Sequence, residues 1–364
     1  MIQRVVWANL RHRRMRTALA ISAIAMEVAM ILLILGLSDG LVGESVRRQR
    51  GIGADILMRS PTSSSAVTSG PAGIDESVVT DIEKLPGVAM AIGTAFSMSA
   101  GLNTVTGVDI NQLDRMAGGL GYVAGKPFEQ PYEAVVDEYY AKQRKLSVGD
   151  TLPLLNRDFK VAGIIGAGKA SRIFIPLRTK QELMRWEGRL SQIYVQLDDS
   201  EQARGFAEEL QRMYPDNPVY TMEVFLSMFA SQTRGKADEF VDVIVGIAVA
   251  VGFIVVLISM YTAVLDRTRE IGILKSLGAS PGYVVNIFLR ETALLTVAGI
   301  VLGIGLARLG EAMLENSFPL VTVSILGGHL MRATAIALVG SILGALYPSL
   351  KAARQDPIEA LAYE

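Results

Sequence analysis

The chain has 364 residues, half of them hydrophobic, and a formal net charge of −1 at pH 7. This near-neutral balance gives no electrostatic reason to expect a nucleic-acid partner. The chain has no cysteine and only two histidines, which excludes disulfides and thiolate metal sites and argues against a histidine-based centre. We therefore expect no catalytic residue, no metal site and no enzymatic activity in this chain.

Four apolar segments dominate the hydrophobic pattern, one near the start and three in the last third. Residues 17–37 carry a single charge, Glu27, while residues 243–265, 292–307 and 333–350 carry none. Each segment approaches the roughly 17–25 residues that a helix needs to cross a bilayer. The pattern predicts a membrane protein with four transmembrane α-helices and a large α+β domain inserted between spans one and two.

The predicted organisation follows these segments along the chain. We interpret the first span as a retained signal anchor, because it is long and no clear small-residue cleavage site follows it. The predicted parts are an amphipathic N-terminal helix at 1–16, span one at 17–40, an inserted domain of two subdomains with stalk helices at both ends at 41–240, span two at 241–265, a linker at 266–283, span three at 284–308, a short loop at 309–331, span four at 332–350 and a tail at 351–364.

Basic residues predict which parts face the cytoplasm, since loops on that side are enriched in lysine and arginine. The N-terminal segment, the linker region and the tail should be cytoplasmic, which places the inserted domain and the loop at 309–331 in the periplasm of a bacterial inner membrane. The residues that carry this prediction are Arg4, Arg11, Arg13, Arg14, Arg16, Arg267, Arg269, Lys275, Arg290, Lys351 and Arg354.

The inserted domain shows alternating helix and strand patterns. Helices are predicted at 77–84 and 201–214, and the strands at 151–155, 159–165 and 173–175 are expected to form an antiparallel sheet. Further predicted strands lie at 102–108, 134–136 and 193–197, and the stalk helices at 41–49 and 223–242.

Residues 163–170 match the phosphate-loop pattern GxxxxGK. A nucleotide-binding loop would continue with a serine or threonine for magnesium and open a helix. Here Ala170 follows the lysine, and the next residues have a strand pattern. We interpret the segment as a glycine-rich turn between strands and expect no nucleotide site on this chain.

The linker between spans two and three has the pattern of a short amphipathic helix followed by a tight turn. Ile271, Leu274 and Leu277 recur on one predicted face, and Gly278 is a candidate C-cap. Ser280 and Pro281 then have the N-cap and first-turn chemistry of a new helix. Such a shape can dock into a groove of a partner or simply connect two spans, and the residues alone leave both readings open.

Two strings resemble segments of one family. The linker string REIGILKSLGAS at 269–280 and the tail string YPSLKAARQDPIEAL at 347–361 resemble those of MacB/FtsX-type ABC transporter permeases, the type VII or mechanotransmission class. The resemblance extends over the whole chain, more weakly in the inserted domain. Two matching strings far apart in sequence make a chance match improbable.

The resemblance implies a subunit that works as a dimer, with an identical or related second permease and two copies of an ABC ATPase. That ATPase would bind ATP and magnesium, and it would be a separate polypeptide, because this chain lacks the fused ATPase domain of MacB. The resemblance assigns ATPase coupling to Thr268, Arg269, Glu270, Ile271, Gly272, Leu274, Lys275, Leu277, Gly278, Ala279 and Ser280, and a cytoplasmic tail motif to Arg354, Asp356, Pro357, Glu359, Ala360 and Leu361.

The function implied by the resemblance is to couple ATP hydrolysis to a conformational change in the periplasm that drives export or extraction of a substrate. A membrane-fusion adaptor and a TolC-like outer-membrane channel are further partners that it allows, besides membrane lipids. The alternative is an FtsX-like regulator that transports nothing and activates a periplasmic cell-wall hydrolase. The large size of the inserted domain favours export or extraction.

Glu27 is an acidic residue near the middle of predicted span one. A charge at membrane depth is costly and is often functional. Its expected partners are hydroxyl groups such as those of Ser259, Tyr261, Thr296 or Ser341. The other interpretation is a hydrogen-bonded glutamate that only packs the bundle.

Overall fold

The computed structural model describes residues 14–62, 73–99 and 103–356. Most of the predicted N-terminal helix and the tail residues 357–364 lie outside these ranges. The chain divides into two units. We call the first, made of residues 1–39, 237–317 and 323–364, the membrane unit, and the second, made of residues 40–236 and 318–322, the inserted domain.

The described residues form ten α-helices and twelve β-strands. The helices are α1 (Arg14–Arg50), α2 (Ser77–Glu83), α3 (Ile110–Met116), α4 (Glu138–Arg144), α5 (Leu177–Met184), α6 (Ala203–Met213), α7 (Met222–Leu265), α8 (Thr268–Ser276), α9 (Pro281–Ser317) and α10 (Gly327–Arg354). The strands are β1 (Ile56–Arg59), β2 (Ile74–Asp75), β3 (Val88–Ser99), β4 (Asn103–Val108), β5 (Tyr122–Gly125), β6 (Glu133–Asp137), β7 (Thr151–Leu154), β8 (Arg157–Ile165), β9 (Ile173–Pro176), β10 (Arg189–Leu190), β11 (Gln192–Leu197) and β12 (Val219–Thr221).

The membrane unit contains the four expected spans. Helices α1, α7, α9 and α10 are each long and apolar enough to cross a bilayer, and their buried residues form one hydrophobic cluster. Small residues allow the helices of this cluster to pack closely. A Cβ added to Gly299 would lie 2.7 Å from the Ile24 side chain, and one added to Gly344 would lie 3.0 Å from the carbonyl oxygen of Phe253. The glycines of α9 and α10 therefore set the packing against α1 and α7.

The inserted domain is built on one ten-stranded sheet in the described part of the chain, in the order β12-β1-β11-β3-β4-β9-β6-β8-β5 with β7 beside β8. The sheet is mixed, so the expected antiparallel arrangement of strands β7, β8 and β9 is wrong in part. Strands β7 and β8 do form an antiparallel pair, but β8 runs parallel to β6 and β9 runs parallel to β4. Parallel neighbours need crossover connections, and helix α4 with β7 supplies the one from β6 to β8.

Strand β3 joins the two halves of this sheet. Its first part pairs with β11 and its last part with β4. Side chains alternate between the faces, so that Leu57 of β1 enters one hydrophobic core while Ile56 and Met58 enter another. A third core lies beneath α4, around Phe159 and Tyr140. The pattern of the sequence located most of these elements, but α3, α5 and the short strands β2, β5, β10 and β12 were not predicted.

A buried lysine lies where α5 crosses the middle of the sheet. The side chain of Lys180 is fully buried, and its amine donates a hydrogen bond to the hydroxyl of Ser97 on β3. Burial lowers the pKa of this amine to about 8. The lysine side chain fits against β4 because residue 107 is a glycine. A Cβ added to Gly107 would lie 2.4 Å from the Cβ of Lys180.

The helices that flank the inserted domain continue without a break. Helix α1 runs to Arg50 and α7 begins at Met222. Between α9 and α10 the non-helical connection is confined to residues 318–326, because both helices extend into the predicted loop. Leu320 of this connection packs in the third core of the inserted domain, and its N–H lies 3.4 Å from Oε1 of Gln143, to which it donates.

Candidate functional site

Helix α8 lies in the linker between spans two and three, where the sequence predicts a helix. The hydroxyl of Thr268 donates to the carbonyls of Val264 and Leu265, at 3.2 and 2.9 Å, which fastens the start of α8 to the end of α7. At the other end Gly278 has a φ of +94°, and its N–H donates to the carbonyl of Lys275 at 3.0 Å. The left-handed backbone is the position that glycine favours after a helix. Gly278 therefore ends the helix as the sequence predicts, in the position directly after the C-cap residue Leu277.

The next helix begins two residues after this turn. Helix α9 starts at Pro281, and the hydroxyl of Ser280 accepts a hydrogen bond from the N–H of Tyr283 at 3.3 Å. Serine before proline at the start of a helix is the N-cap and first-turn arrangement that the sequence predicts. The linker is therefore a helix–turn–helix rather than an extended connection.

The exposed face of α8 differs from the predicted one. Ile271 is buried, with 3 % of its surface exposed, but Leu277 is 80 % exposed and Ile273 is 45 % exposed. The expectation that Ile271, Leu274 and Leu277 share one face is wrong for Leu277, because α8 ends at Ser276 and the chain turns there. Two large apolar side chains, Ile273 and Leu277, are thus left exposed at the linker.

Lys275 connects this helix to the end of span four. Its amine donates to the carbonyl of Ala353 at 2.9 Å and to that of Gln355. These carbonyls belong to the C-terminal end of α10, where helical partners are missing and a cation is favoured. The structure thereby brings the linker string into contact with the middle of the tail string, across separations of 78 and 80 residues in the chain.

A group of four charged residues lies beside α8 in the membrane unit. Arg267 and Glu291 form a bidentate ion pair, with Nη1–Oε2 and Nη2–Oε1 distances of 2.8 and 3.3 Å. Both side chains are buried, at 8 % and 1 % exposure. Arg16 lies 3.6 Å from Glu291 and 3.5 Å from Asp266. Because these residues come from α1, from the segment after α7 and from α9, the cluster fixes three spans at their linker ends.

A groove runs between the start of α9 and the end of α10. It has a volume of about 430 Å³ and is mostly apolar, with Arg354 at its edge. One of its lining residues, Ala353, also accepts the hydrogen bond from Lys275 of α8. Its lining residues are Pro281, Gly282, Val285, Asn286, Leu289, Leu350, Ala353 and Arg354.

Glu27 lies in a tight contact between spans one and two. A Cβ added to Gly252 of α7 would lie 1.8 Å from Oε2 of Glu27. Only a glycine leaves room for the carboxyl group at this point of the helix. The structure does not show Glu27 bonded to the expected hydroxyls in the described residues; the hydroxyl of Thr296, for example, donates to the carbonyl of Thr292 at 2.9 Å.

The segment that matches a phosphate loop ends strand β8 and continues as a turn into β9. Its N–H groups donate within the protein: Gly166 to the carbonyl of Gly121 at 2.9 Å and Ala167 to the carboxylate of Glu138 at 3.3 Å. The amine of Lys169 donates to the carbonyl of Ala117 at 2.9 Å. A strand follows instead of a helix, as the sequence predicts. In the described ranges, no group of three or more histidine, aspartate or glutamate side chains could hold a metal ion.

Comparison with protein families identifies both halves of the chain. The family model described as "MacB-like periplasmic core domain" matches residues 17–213, and the model described as "FtsX-like permease C-terminal" matches residues 243–357. The chain belongs to the MacB- and FtsX-like family of ABC transporter permeases. The family suggested by the linker and tail strings is therefore confirmed.

Among known proteins, the permease is 26 % identical to the uncharacterized ABC transporter permease YknZ of Bacillus subtilis, over 99 % of this chain and 98 % of that protein. It is 26 % identical to the pyoverdine export ATP-binding/permease protein PvdT of Pseudomonas fluorescens and 25 % identical to the macrolide export ATP-binding/permease protein MacB of Nitrobacter winogradskyi. In both cases 99 % of this chain aligns, and it spans 58 % of PvdT and 60 % of MacB.

Two solved structures resemble part of the permease. The periplasmic region of MacB from Actinobacillus actinomycetemcomitans aligns with 48 % of this chain and 92 % of that one, with a TM-score of 0.36 and 16 % identity. The extracellular domain of YknZ from Gram-positive bacteria aligns with 46 % of this chain and 100 % of that one, with a TM-score of 0.36 and 15 % identity.

The sequence located some parts of this site and missed others. The residues assigned to coupling from Thr268 to Ser280 all lie in α8 or the turn after it, and Arg354 lies beside them. Asp356 is described and exposed, whereas Pro357, Glu359, Ala360 and Leu361 lie outside the described residues. Glu291 and its ion pair were missed, and the available signal was a carboxylate within predicted span three.

Proposed function

We propose that this permease is the membrane subunit of an ABC transporter whose ATP is hydrolysed on a separate ATPase subunit. Two ATPase copies, each binding ATP and magnesium, would act on a pair of permeases, identical or related. Hydrolysis would change the conformation of the inserted domain and thereby drive export or extraction of a substrate from the periplasm or the outer leaflet.

The observation that carries this proposal is the surface of α8. Ile273 on α8 and Leu277 directly after it are exposed large apolar side chains, while Ile271 on the same helix is buried. Lys275 ties the helix to α10, and the Arg267–Glu291 pair ties the segment before it to α9. A displacement of Leu277 by a bound partner would therefore be transmitted to α9 and α10 through these contacts.

The relatives support a role in export. PvdT and MacB are named as export proteins that contain both an ATP-binding part and a permease part. The YknZ relative is named as a permease alone, and this chain aligns with 98 % of it. An ATPase in a separate subunit is consistent with the second arrangement. A membrane-fusion adaptor and a TolC-like outer-membrane channel are further partners that we propose for the export reaction.

The proposed orientation has both ends of the chain and α8 in the cytoplasm, and the inserted domain in the periplasm. In this orientation α8 is on the side where ATP is available. It also leaves Arg16, Arg267 and Lys275 on the side where basic residues are enriched. The bacterial inner membrane is the proposed location.

The test is a pull-down of the tagged permease in mild detergent, under conditions that trap the ATP-bound ATPase, with identification by mass spectrometry. We expect an ABC ATPase in about equal amount with the natural chain. Leu277→Asp should reduce its recovery about tenfold, since a central apolar contact would be replaced by a charge. Leu277→Met, which keeps an apolar side chain of similar volume, is the matched control and should retain the ATPase.

The outcomes separate the alternatives. Recovery of an adaptor or outer-membrane channel with the ATPase would support export, and recovery of a cell-wall hydrolase would instead support a regulator. If the natural chain recovers no ATPase, the proposed function is wrong. If Leu277→Asp recovers as much ATPase as Leu277→Met, the docking surface has been misassigned.

A further inference from the structure

The turn that resembles a phosphate loop contacts the end of helix α1 within the inserted domain. We call residues 166–170 the glycine turn. The N–H of Ala170 donates a hydrogen bond of 2.8 Å to the carbonyl of Arg48. This carbonyl belongs to the last turn of α1, where carbonyls have no partner within the helix. The glycine turn therefore caps α1, a role that the sequence pattern did not suggest.

The main chains at this contact touch each other directly. A Cβ added to Gly51, the residue after α1, would lie 1.9 Å from the carbonyl oxygen of Gly168. A Cβ added to Gly53, whose φ is +81°, would lie 2.3 Å from the carbonyl oxygen of Met116. The amine of Lys169 donates to the carbonyl of the next residue, Ala117. The end of α1 is thus held between two backbone segments that are themselves joined.

A buried ion pair fixes the far side of the glycine turn. Arg172, two residues beyond it, lies 3.2 Å from Asp137 at the end of β6, and the two side chains are 10 % and 1 % exposed. The N–H of Asp137 also donates to the carbonyl of Arg172 at 2.9 Å. Burial raises the pKa of Asp137 above its usual value, and Arg172 offsets part of this rise. Breaking such a buried pair leaves an uncompensated charge, so this part of the turn resists displacement.

The glycine turn leads directly into the middle of the sheet. It connects β8 with β9, and these strands pair with β6 and β4. We propose that the glycine turn is a rigid seat for the end of α1, so that any movement of this helix is passed to strands β8 and β9 without bending at the joint. The proposal rests on the proposed function only for the source of that movement, which would be span one during the ATP cycle.

A distance measurement across the joint tests this proposal. The natural chain has no cysteine, so spin labels can be attached through Gly43→Cys in α1, where an added Cβ meets nothing within 4 Å, and Asp158→Cys, which is exposed on β8. Labelled chain is assembled with an excess of unlabelled natural chain, so that distances within one chain dominate. A rigid seat predicts one narrow distance distribution that is the same with and without trapped ATP.

Variants of the joint should widen this distribution. Gly51→Ala forces the main chain of α1 away from Gly168 and should broaden the distribution about twofold. Gly166→Ala is the matched control in the same turn, because its nearest neighbour would lie 3.7 Å away, and it should leave the distribution narrow. Lys169→Met removes one hydrogen bond without a clash and keeps the test available if Gly51→Ala does not fold.

The outcomes are separate from those of the proposed function. A broad or nucleotide-dependent distribution in the otherwise natural chain would show a hinge at this joint and would overturn the proposal. So would narrow distributions in both Gly51→Ala and Lys169→Met. The distance without nucleotide does not depend on the ATPase, so the seat can be confirmed even if no ATPase is recovered, and it can fail even if one is.

Discussion

The ion pair between Arg267 and Glu291 shows what a single residue contributes to the proposed coupling site. Both charges are buried and each satisfies the other through two contacts. Taking two charges out of water is costly, and their attraction offsets this cost only when the geometry is good. The pair therefore adds little net stability while it is intact, but it strongly disfavours any arrangement that separates α9 from the start of the linker.

Replacing Glu291 with glutamine is expected to destabilise the permease. The substitution keeps the shape of the side chain but leaves the guanidinium of Arg267 buried without its main counter-charge. Breaking a buried pair in this way costs about 3–5 kcal/mol. The apparent melting temperature of the purified permease in detergent, followed by circular dichroism, should fall measurably.

The ion pair between Arg308 and Glu311, on the same helix, supplies the control. Its Nη1–Oε2 distance is 2.9 Å, but the arginine is 53 % exposed, and exposed pairs contribute about 0.2–1 kcal/mol. Glu311→Gln should therefore leave the melting temperature nearly unchanged. Equal effects of Glu291→Gln and Glu311→Gln would contradict the argument from burial.

Residues with a local role could be predicted from the sequence, and residues with a distant partner could not. Gly278 and Ser280 were identified because helix capping depends on the chemistry of a few neighbouring residues. The pairing of Arg267 with Glu291 depends on how two helices approach, which no short window contains. The exposure of Leu277 was missed for a related reason: periodicity assigns a face to every residue, but the helix stops one residue earlier.

At the scale of whole elements, Lys275 of α8 holds this helix to the C-terminal end of α10. The amine donates to the carbonyls of Ala353 and Gln355 and so replaces partners that the end of α10 lacks. The positive charge of Lys275, which belongs to α8, is also stabilised by the negative end of the helix dipole of α10. The tail string and the linker string are consequently held at a single surface.

Lys275→Met is expected to release the end of α10. The substitution keeps the apolar stem but removes both hydrogen bonds, so the last carbonyls of the helix lose their cap. Amide hydrogen exchange of residues 352–356, measured by mass spectrometry on the whole permease, should become about tenfold faster.

Lys351→Met is the matched control, since it removes the same charge from this helix end. The amine of Lys351 contacts the hydroxyl of Tyr261 at 3.1 Å and does not cap α10. Exchange at residues 352–356 should then stay close to that of the natural chain. Unchanged exchange in Lys275→Met would mean that the contact is not maintained in solution.

The elements themselves were largely predictable, but their pairing in the sheet was not. Long apolar helices and alternating strands follow from patterns within a few residues, which is why α1, α7 and β11 were located. Whether β8 lies parallel to β6 depends on the route of the chain through α4 and β7. The parallel pairs β4–β9 and β6–β8 bring together strands that are distant in sequence, and only the fold reveals them.

For the whole molecule, the division into a membrane unit and an inserted domain separates two tasks. The membrane unit presents α8 and its exposed apolar side chains, while the inserted domain receives the end of α1 in the glycine turn. The two family models divide the chain near the end of the inserted domain, since the first matches residues 17–213 and the second residues 243–357. The proposed function has a requirement of its own, namely that a cytoplasmic ATPase can reach α8 while the inserted domain is exposed to the periplasm.

Cysteine labelling decides this requirement, because the natural chain has no cysteine and gives no background. Arg269→Cys places a thiol on the exposed side of α8, and Gly205→Cys places one on α6 of the inserted domain, where an added Cβ meets nothing within 4 Å. With a membrane-impermeant maleimide on intact spheroplasts, only Gly205→Cys should be labelled, and Arg269→Cys should react after the membrane is permeabilised. The reverse pattern, or labelling of both residues before permeabilisation, would contradict the orientation that the basic residues predict and would remove α8 from the side where ATP is hydrolysed.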